Sequence, residues 1–257
     1  DPNLQNIPAR TEEGRQIRRI FVPGAGYDLL MSCDYSQVEL RILACIAQDE
    51  LLLEAFRHGQ DIHARTAAEV FGVPLEEVTP QMRSRAKAVN FGIVYGISDF
   101  GLAKQLDVGR KEAAGYIDSY FERYTGVKKY MEDIVAKARE QGYVSTLMGR
   151  RRYLPEIRNS NFNLRSFAER TAINTPIQGT AADIMKKAMI AVQRELDKAQ
   201  CKSRILLQVH DELVLEVTED EKEQVAQLVR TAMEGAASLD IPLLADVNCG
   251  RDWAETK

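Results

Sequence analysis

Arg83, Lys87, Phe91 and Tyr95 recur every four positions in the stretch 79–96. On an α-helix this spacing places them along one slowly winding stripe. Two cations suited to phosphate oxygens are followed by two aromatic rings suited to a base and a sugar. The same spacing also fits a solvated helix face that ends in core aromatics. The stripe therefore predicts a nucleoside triphosphate site, provided that other parts of the chain supply carboxylates and a metal ion.

Carboxylates stand where strongly apolar segments end. Asp34 follows the apolar run 27–33, which predicts a buried strand, although Asp34 could equally cap the next helix. The stretch 204–217 predicts a hairpin that lifts Asp211 and Glu212 out of a core sheet. If these strands are neighbours, the carboxylates of Asp34 and Asp211 meet. Such a pair can hold Mg²⁺, which takes its other ligands from water and substrate phosphates and can promote displacement at phosphorus.

Composition and charge describe a globular chain with separated basic and acidic segments. The 257 residues are 45% hydrophobic and 28% charged, with a net charge of -4. The chain contains no run of about 18 apolar residues, so the sequence predicts no membrane-spanning helix. The four cysteines have no metal-like spacing, which is typical of reduced cysteines in a cytoplasmic protein. Seven arginines in 139–170 and seven acids in 211–223 predict that the molecule holds a polyanion and a divalent cation together.

The middle of the chain has helical periodicity, and strand-like runs lie towards its ends. Gly142 begins a hairpin with three arginines on its return strand, and Pro176 is predicted to interrupt a long helical zone. Thr218 and Glu221 predict a capping box before the last helix. The predicted helices cover 37–59, 61–72, 98–106, 110–124, 127–141 and 164–199, and the first of them has a second start at Asp49. The stripe helix is predicted to begin at Thr79, and the last helix to end near Ser238. A last strand is predicted at 243–248.

Two further polar sets have a spacing that suits nucleic acid. Arg170, Asn174 and Gln178 repeat every four residues, so one helix face could read base edges or sugar atoms in a groove. The same residues could equally be ordinary polar surface. Arg150 and Arg152 share a face of the predicted return strand, where charge can also serve only to protect a solvated edge.

Four motifs in this order resemble those of family A DNA polymerases, the bacterial DNA polymerase I type: DPNLQNIP, DYSQVELR, the R-x-x-x-K-x-x-x-F-x-x-x-Y helix and QVHDE. The resemblance runs from Asp1 to Trp253. It implies an α+β fold, with an antiparallel palm sheet backed by helices and a mostly helical fingers subdomain inserted. The implied ranges are 1–39 and 165–257 for the palm and 40–164 for the fingers.

The resemblance also implies an activity, cofactors and partners. The activity is template-directed DNA synthesis, in which a dNTP transfers its nucleotidyl group to a primer 3′-hydroxyl and pyrophosphate is released. The implied cofactors are two Mg²⁺ ions, with Mn²⁺ as a substitute. The implied partners are primer–template DNA and a dNTP, with no membrane, for a monomer in the bacterial cytoplasm.

Individual roles follow from the resemblance, residue by residue. Asp34, Asp211 and the Tyr35 carbonyl would hold the metal ions, Glu212 would be an accessory acid, and Lys87 would give a proton to pyrophosphate. The implied nucleotide-binding residues are Arg83 and Lys87 on the triphosphate, Phe91 on the sugar, Tyr95 beside the templating base, Glu39 as a steric gate against a 2′-hydroxyl, and Gln37 and His63 near the sugar and phosphates. The implied DNA-binding residues are Arg170, Asn174, Gln178 and His210 along the minor groove, Arg150 and Arg152 on the backbone, and Asn6.

The chain departs from the family pattern in two respects. Ser84 stands where many members carry a second arginine, which bears on primer grip and mismatch discrimination. The thumb and nuclease-like domains that precede this region in the family are absent, so the chain looks like a fragment. With few phosphate contacts left, we expect weak, distributive DNA binding that depends steeply on salt. Tight, salt-insensitive association in a filter-binding titration would contradict this expectation.

Three other functions are compatible with parts of the pattern. A single-subunit RNA polymerase shares the architecture and the paired aspartates, but Glu39 at the gate favours deoxynucleotides. A catalytically idle DNA-binding fragment would bind duplex equally well and incorporate nothing. A metal-dependent nuclease is disfavoured, because the cationic and aromatic helix has no evident role in hydrolysis.

Overall fold

The computed structural model describes residues 3–8 and 11–256, so Asp1 and Pro2 of the first motif lie outside the described residues. The chain forms two compact units. The first comprises 1–38, 181–238 and 242–257, and the second comprises 39–180 and 239–241. The palm and fingers ranges inferred from the sequence are a functional division and stay a prediction.

Seven consecutive α-helices separate the first strand from the remaining strands in the described part of the chain. Short 3₁₀ turns lie at Leu4–Asn6, Leu75–Glu77 and Pro155–Arg158. The regular elements are α1 Glu12–Arg18, β1 Leu29–Tyr35, α2 Val38–Ala47, α3 Glu50–Arg57, α4 Ile62–Phe71, α5 Pro80–Val94, α6 Asp99–Leu106, α7 Arg110–Arg123, α8 Thr125–Gln141, β2 Tyr143–Ser145, β3 Arg151–Tyr153, α9 Phe162–Lys198, β4 Arg204–Val209, β5 Glu212–Val217, α10 Lys222–Glu234 and β6 Ala245–Gly250.

The first unit is built on a four-stranded antiparallel sheet with the order β4–β5–β1–β6. One face packs into an apolar cluster that includes Leu30, Val214 and Trp253. Helix α10 backs the other face, and the Tyr35 hydroxyl donates a 2.6 Å hydrogen bond to the Met233 carbonyl. The sheet confirms the predicted α+β class and the predicted adjacency of the two acid-bearing strands.

The chain around α10 differs from the prediction. Glu221 does not complete a capping box with Thr218, because its carboxylate accepts hydrogen bonds from the amides of Lys202 and Ser203 and from the Ser203 hydroxyl. Lys202 and Ser203 lie before β4, 19 and 18 residues from Glu221 in the sequence. The helix ends at Glu234 rather than near 238, and the last strand is 245–250 rather than 243–248.

The second unit is mostly helical, and helices α3, α4, α5 and α6 begin directly after the predicted capping residues. Asp49, Asp61, Thr79 and Ser98 each accept a hydrogen bond from a backbone amide of the helix that follows. Gly72 ends α4 with a φ of 64°, in the left-handed region that glycine adopts without strain. These local signals set the start of the stripe helix α5, whose first residue is proline.

The predicted interruption at Pro176 is wrong, because α9 runs unbroken through it for 37 residues. Proline removes the amide that would donate to the Ala172 carbonyl, and side chains donate to two other carbonyls of this part of the helix. The Tyr130 hydroxyl donates to the Ile173 carbonyl at 2.8 Å, and the Thr180 hydroxyl donates to the Pro176 carbonyl at 2.5 Å. Burial of Pro176 and Ile177 holds this part of the helix in the core.

The arginine hairpin forms as predicted, with one difference at Arg150. Strands β2 and β3 pair antiparallel, with Tyr143 opposite Tyr153. Arg150 precedes β3 and belongs to the turn, where its carbonyl accepts a hydrogen bond from the Thr146 amide.

Among the described residues, no helix combines the length and apolar character that a membrane crossing requires.

Candidate active site

Asp34 and Asp211 lie at the same edge of the sheet. Strands β1 and β5 are antiparallel neighbours, with Asp34 directly opposite Glu212. Asp211 directly precedes Glu212, in the turn between β4 and β5, and its carbonyl accepts a 3.1 Å hydrogen bond from the Tyr35 amide. Both aspartates are partly exposed, in contrast to the buried strand residues around them. The register thus brings together two acids that are far apart in the chain.

A third acid on this edge was not singled out from the sequence. Asp246 of β6 lies directly opposite Asp34, so Glu212, Asp34 and Asp246 form a row across three strands on one face. Like charges directly opposite each other are destabilising, and a bound cation would lower that repulsion. No periodic signal marks Asp246, because its position depends on the register of β6 against β1.

The donor atoms at this edge fit a divalent ion of the Mg²⁺ or Mn²⁺ type. Carboxylates and backbone carbonyls are hard oxygen ligands, which these ions prefer over the nitrogen and sulfur ligands typical of zinc. Within residues 3–8 and 11–256, no group of three or more His, Cys, Asp or Glu side chains is arranged to hold a metal ion. Water or substrate oxygens would therefore have to complete the coordination.

The sequence predicted that the hairpin lifts Glu212 out of the sheet, and this prediction is wrong. Glu212 is the first residue of β5, its exposure is 2%, and its Oε1 accepts hydrogen bonds from the Ser32 hydroxyl at 2.6 Å and the Trp253 indole at 3.3 Å. The Arg18 guanidinium lies 4.0 Å above the Trp253 ring. Burial lowers the pKa of Arg18, and the Glu212 carboxylate opposes that shift. Because side chains alternate along a strand, Asp211 and Glu212 have different surroundings, and Glu212 anchors the hairpin in the core.

The predicted stripe lies on the exposed side of α5 in the second unit. Arg83 and Lys87 are exposed, Phe91 is half-buried, and Tyr95 is 41% exposed just beyond the end of the helix. The rings of Phe91 and Tyr95 stack with their centroids 6.4 Å apart. Apolar residues such as Val89 cover the opposite side of α5. The structure therefore confirms that one helix presents the two cations and the aromatic rings together.

Tyr95 is held by residues from other elements of the same unit. Its hydroxyl donates a 2.7 Å hydrogen bond to the Glu39 carboxylate. The Asn174 amide lies 3.5 Å from the Tyr95 carbonyl, which is long for a hydrogen bond. Gly96 has a φ of 65°, and an added Cβ there would lie 3.1 Å from the stem of Arg170. A pocket of about 380 Å³ is lined by the Phe91, Tyr95 and Arg170 side chains, among others.

The Arg83 guanidinium is already engaged in the structure. It contacts the Asp61 carboxylate at 2.6 Å, and both side chains are substantially exposed. The other Asp61 oxygen caps α4 by accepting the amides of His63 and Ala64. Partial burial raises the pKa of Asp61, but the hydrogen bonds from Arg83 and from these amides outweigh it and lower the pKa overall. A phosphate that binds Arg83 must compete with Asp61.

Replacing Asp61 with asparagine tests this competition. Asparagine caps a helix about as well as aspartate, so α4 is expected to stay intact while the charge on Arg83 is released. Exposed ion pairs contribute roughly 0.2–1 kcal/mol, so the dNTP concentration for half-maximal binding is expected to fall about 1.4- to 5-fold. Fluorescence titration with a labelled dNTP measures this change, with Asp99→Asn, whose partner is Arg110, as the matched control. Weaker binding by Asp61→Asn would show that the ion pair organises the site instead.

The remaining predicted residues have the following places. His63 is buried against Phe91, with ring centroids 5.7 Å apart. Gln37 and His210 occupy turns and have φ values of 54° each. The exposed members of the predicted DNA-binding set are Asn6, Arg150, Arg152, Arg170, Gln178 and His210, and Asn174 is half-buried.

Comparison with known proteins agrees with the motifs. Residues 1–255 match the model of DNA polymerase family A. DNA polymerase I of Pseudomonas aeruginosa is 60% identical over 255 residues, which cover 99% of this chain and 28% of that protein. DNA polymerase I of Bacillus caldotenax is 57% identical over 257 residues, which cover all of this chain and 29% of that protein. The chain thus spans less than a third of the length of these relatives.

A solved structure shares the fold over almost the whole chain. It is described as the POL domain of Pol1 from M. smegmatis in complex with DNA primer-template and dNTP. It is 52% identical with a TM-score of 0.95, and the match covers 99% of this chain and 45% of that one. The match of the family model along nearly the entire length decides the assignment. This chain belongs to DNA polymerase family A.

Proposed function

We propose that this chain carries the nucleotidyl-transfer centre of a template-directed DNA polymerase. The chain would join a dNTP to a primer 3′-hydroxyl and release pyrophosphate, acting as a monomer on primer–template DNA. The observation that carries this proposal is the placement of Asp34 and Asp211 at one sheet edge. The M. smegmatis structure, whose description includes primer-template and dNTP, supports the choice of substrates.

The first unit would supply the metal ligands. Asp34, Asp211 and the Tyr35 carbonyl would hold two Mg²⁺ ions, or Mn²⁺ in their place. When bound, the ions would lower the pKa of the attacking hydroxyl and stabilise charge on the leaving phosphates. Glu212 would act indirectly, because its bonds to Ser32 and Trp253 fix the strand that begins beside Asp211.

The second unit would bind the nucleotide. Arg83 and Lys87 would contact the triphosphate oxygens, and Lys87 would donate a proton to the departing pyrophosphate. Phe91 would lie against the sugar, and Tyr95 would lie beside the templating base. Gln37 of the first unit would contact the same nucleotide near its sugar.

A set of exposed or half-buried polar residues would bind the primer–template. Arg170, Asn174, Gln178 and His210 would follow the minor groove, where contacts depend little on sequence. The backbone of the duplex would be held by Arg150, Arg152 and Asn6.

Incorporation of one labelled deoxynucleotide on a primed template in Mg²⁺ tests the proposal. We expect extension of the primer by the nucleotide complementary to the template. Duplex binding at the same protein concentration without extension would favour the idle DNA-binding fragment. Shortening of the primer would favour a nuclease.

Replacing Glu39 with alanine tests the sugar specificity that separates a DNA polymerase from a single-subunit RNA polymerase. Without the carboxylate that crowds a 2′-hydroxyl, the ratio of ribonucleotide to deoxynucleotide incorporation is expected to rise on the order of tenfold or more. The ratio is the informative readout, because the change also removes the acceptor of the Tyr95 hydroxyl. Glu54→Ala, at an exposed position of α3, is the control. Equal use of both sugars by the unmodified chain would contradict the assignment of Glu39 as the gate.

A further inference from the structure

A buried polar network connects helices α4, α5 and α7 within the second unit. Asn90 of α5 has an exposure of 0%, and its side-chain nitrogen lies 3.0 Å from His63 Nδ1 and 3.1 Å from Thr66 Oγ1. The Thr66 hydroxyl lies 3.2 Å from Asn90 Oδ1 and 3.2 Å from the hydroxyl of Tyr124, which follows α7. A buried amide is costly unless it is hydrogen-bonded, so the network accounts for a polar residue in the core.

The network selects one tautomer of His63. In the structure the NH₂ group of Asn90 faces the imidazole, and Thr66 Oγ1 lies within hydrogen-bond distance of both the oxygen and the nitrogen of the Asn90 amide. An NH₂ group only donates hydrogen bonds, so His63 Nδ1 must accept and cannot carry the proton. The proton of the neutral ring therefore resides on Nε2. The hydroxyls of Thr66 and Tyr124 share a hydrogen bond that extends the network.

His63 lies beside the predicted triphosphate site. Its ring packs on Phe91, and the charges of Lys87 and Arg83 act on it. The pKa of His63 is lowered to about 4, mainly by burial; Asp61 opposes this shift, and the charges of Lys87 and Arg83 contribute to it. At pH 7 the ring is neutral, so His63 would add a directed N–H donor beside the two cations without adding charge.

We infer that Asn90 is a positioning residue, which fixes His63 in the Nε2–H tautomer so that His63 offers one donor to a phosphate oxygen of the bound nucleotide. The tautomer follows from the orientation of the Asn90 amide in the structure. The use of the donor rests on the proposed function. Asn90 acts through His63 and does not itself contact the nucleotide.

The tautomer can be read directly by long-range proton–nitrogen NMR of the ¹⁵N-labelled chain. The chain has three histidines, so loss of one signal set in His63→Gln identifies His63. We expect the nitrogen shifts of a protonated Nε2 and an unprotonated Nδ1. In Asn90→Asp the carboxylate accepts from the ring, so the tautomer is expected to invert. In Asn90→Leu both tautomers should be populated.

These spectra need no nucleotide or DNA, so they decide the tautomer even if the chain does not incorporate nucleotides. An Nδ1–H tautomer in the unmodified chain would overturn the inference. So would an unchanged tautomer in Asn90→Leu. Circular dichroism identifies any variant that fails to fold, and Thr66→Val then replaces it, because loss of a hydroxyl that contacts the Asn90 amide should also weaken the tautomer preference.

Steady-state incorporation tests the use of the donor. Loss of one hydrogen bond to phosphate in Asn90→Leu is expected to raise KM for the dNTP about three- to tenfold with kcat little changed. Asn163→Leu, at an exposed position of α9, is the matched control. An unchanged KM in Asn90→Leu, with active unmodified enzyme, would overturn the phosphate role. Inactivity of the unmodified enzyme would instead count against the proposed function.

Discussion

Replacing Asp211 with asparagine is expected to reduce single-nucleotide incorporation by at least about 10³-fold, because several kcal/mol of metal-derived transition-state stabilisation would be lost. Asparagine has nearly the same shape but provides a neutral ligand. The side chain lies in the turn between β4 and β5 and is partly exposed, so the fold should not depend on its charge. Rapid-quench measurement of primer extension in Mg²⁺ gives the rate.

The same loss is expected for Asp34→Asn, because both carboxylates would be needed for the same ions. Glu219→Gln is the matched control, since Glu219 is exposed and follows the other end of β5. Urea unfolding followed by circular dichroism should give similar midpoints for all of these chains. Incorporation within tenfold of the unmodified rate in either aspartate variant would contradict the assignment.

Replacing Lys87 with methionine is expected to lower kcat by about 10²- to 10⁴-fold, the usual contribution of a positioned general acid. Lys87 is exposed on α5, and its ammonium group would both contact the triphosphate and protonate the leaving pyrophosphate. Lys87→Arg separates these roles, because arginine keeps the charge but does not release a proton. We expect Lys87→Arg to bind the dNTP well and to remain slow.

Single-turnover rates over a range of dNTP concentrations measure both effects. Lys104→Met, at an exposed position of α6, controls for the loss of one surface charge. If Lys87→Arg turned over as fast as the unmodified chain, Lys87 would act through charge alone. If Lys87→Met were also unaffected, the stripe would be only a solvated helix face.

Features that depend on local chemistry could be predicted from the sequence. Thr79 and Pro80 mark the start of α5 because a capping hydroxyl and a fixed φ act within one turn. The apolar run before Asp34 predicts a strand, because its hydrophobic side chains indicate burial whichever elements pack beside it. The four-residue spacing from Arg83 to Tyr95 likewise follows from helix geometry alone.

Where a feature depends on tertiary contacts, the prediction from the sequence was wrong or the feature was not predicted. Pro176 does not interrupt α9, and it is buried with Ile177 in the core, a tertiary environment that the local sequence does not indicate. Glu212 is buried because Ser32 and Trp253 bind it from distant positions. Asn90 was not singled out, because only the packing of α5 against α4 brings it to His63.

Binding of Mn²⁺ at the sheet edge tests the central claim most directly. Electron paramagnetic resonance can count the Mn²⁺ ions bound per chain with primer–template and a non-hydrolysable dNTP. The paired aspartates predict bound Mn²⁺ in the unmodified chain and clear loss of bound Mn²⁺ in Asp34→Asn and in Asp211→Asn. Undiminished Mn²⁺ binding in both variants would contradict the claim that these two carboxylates form the metal site.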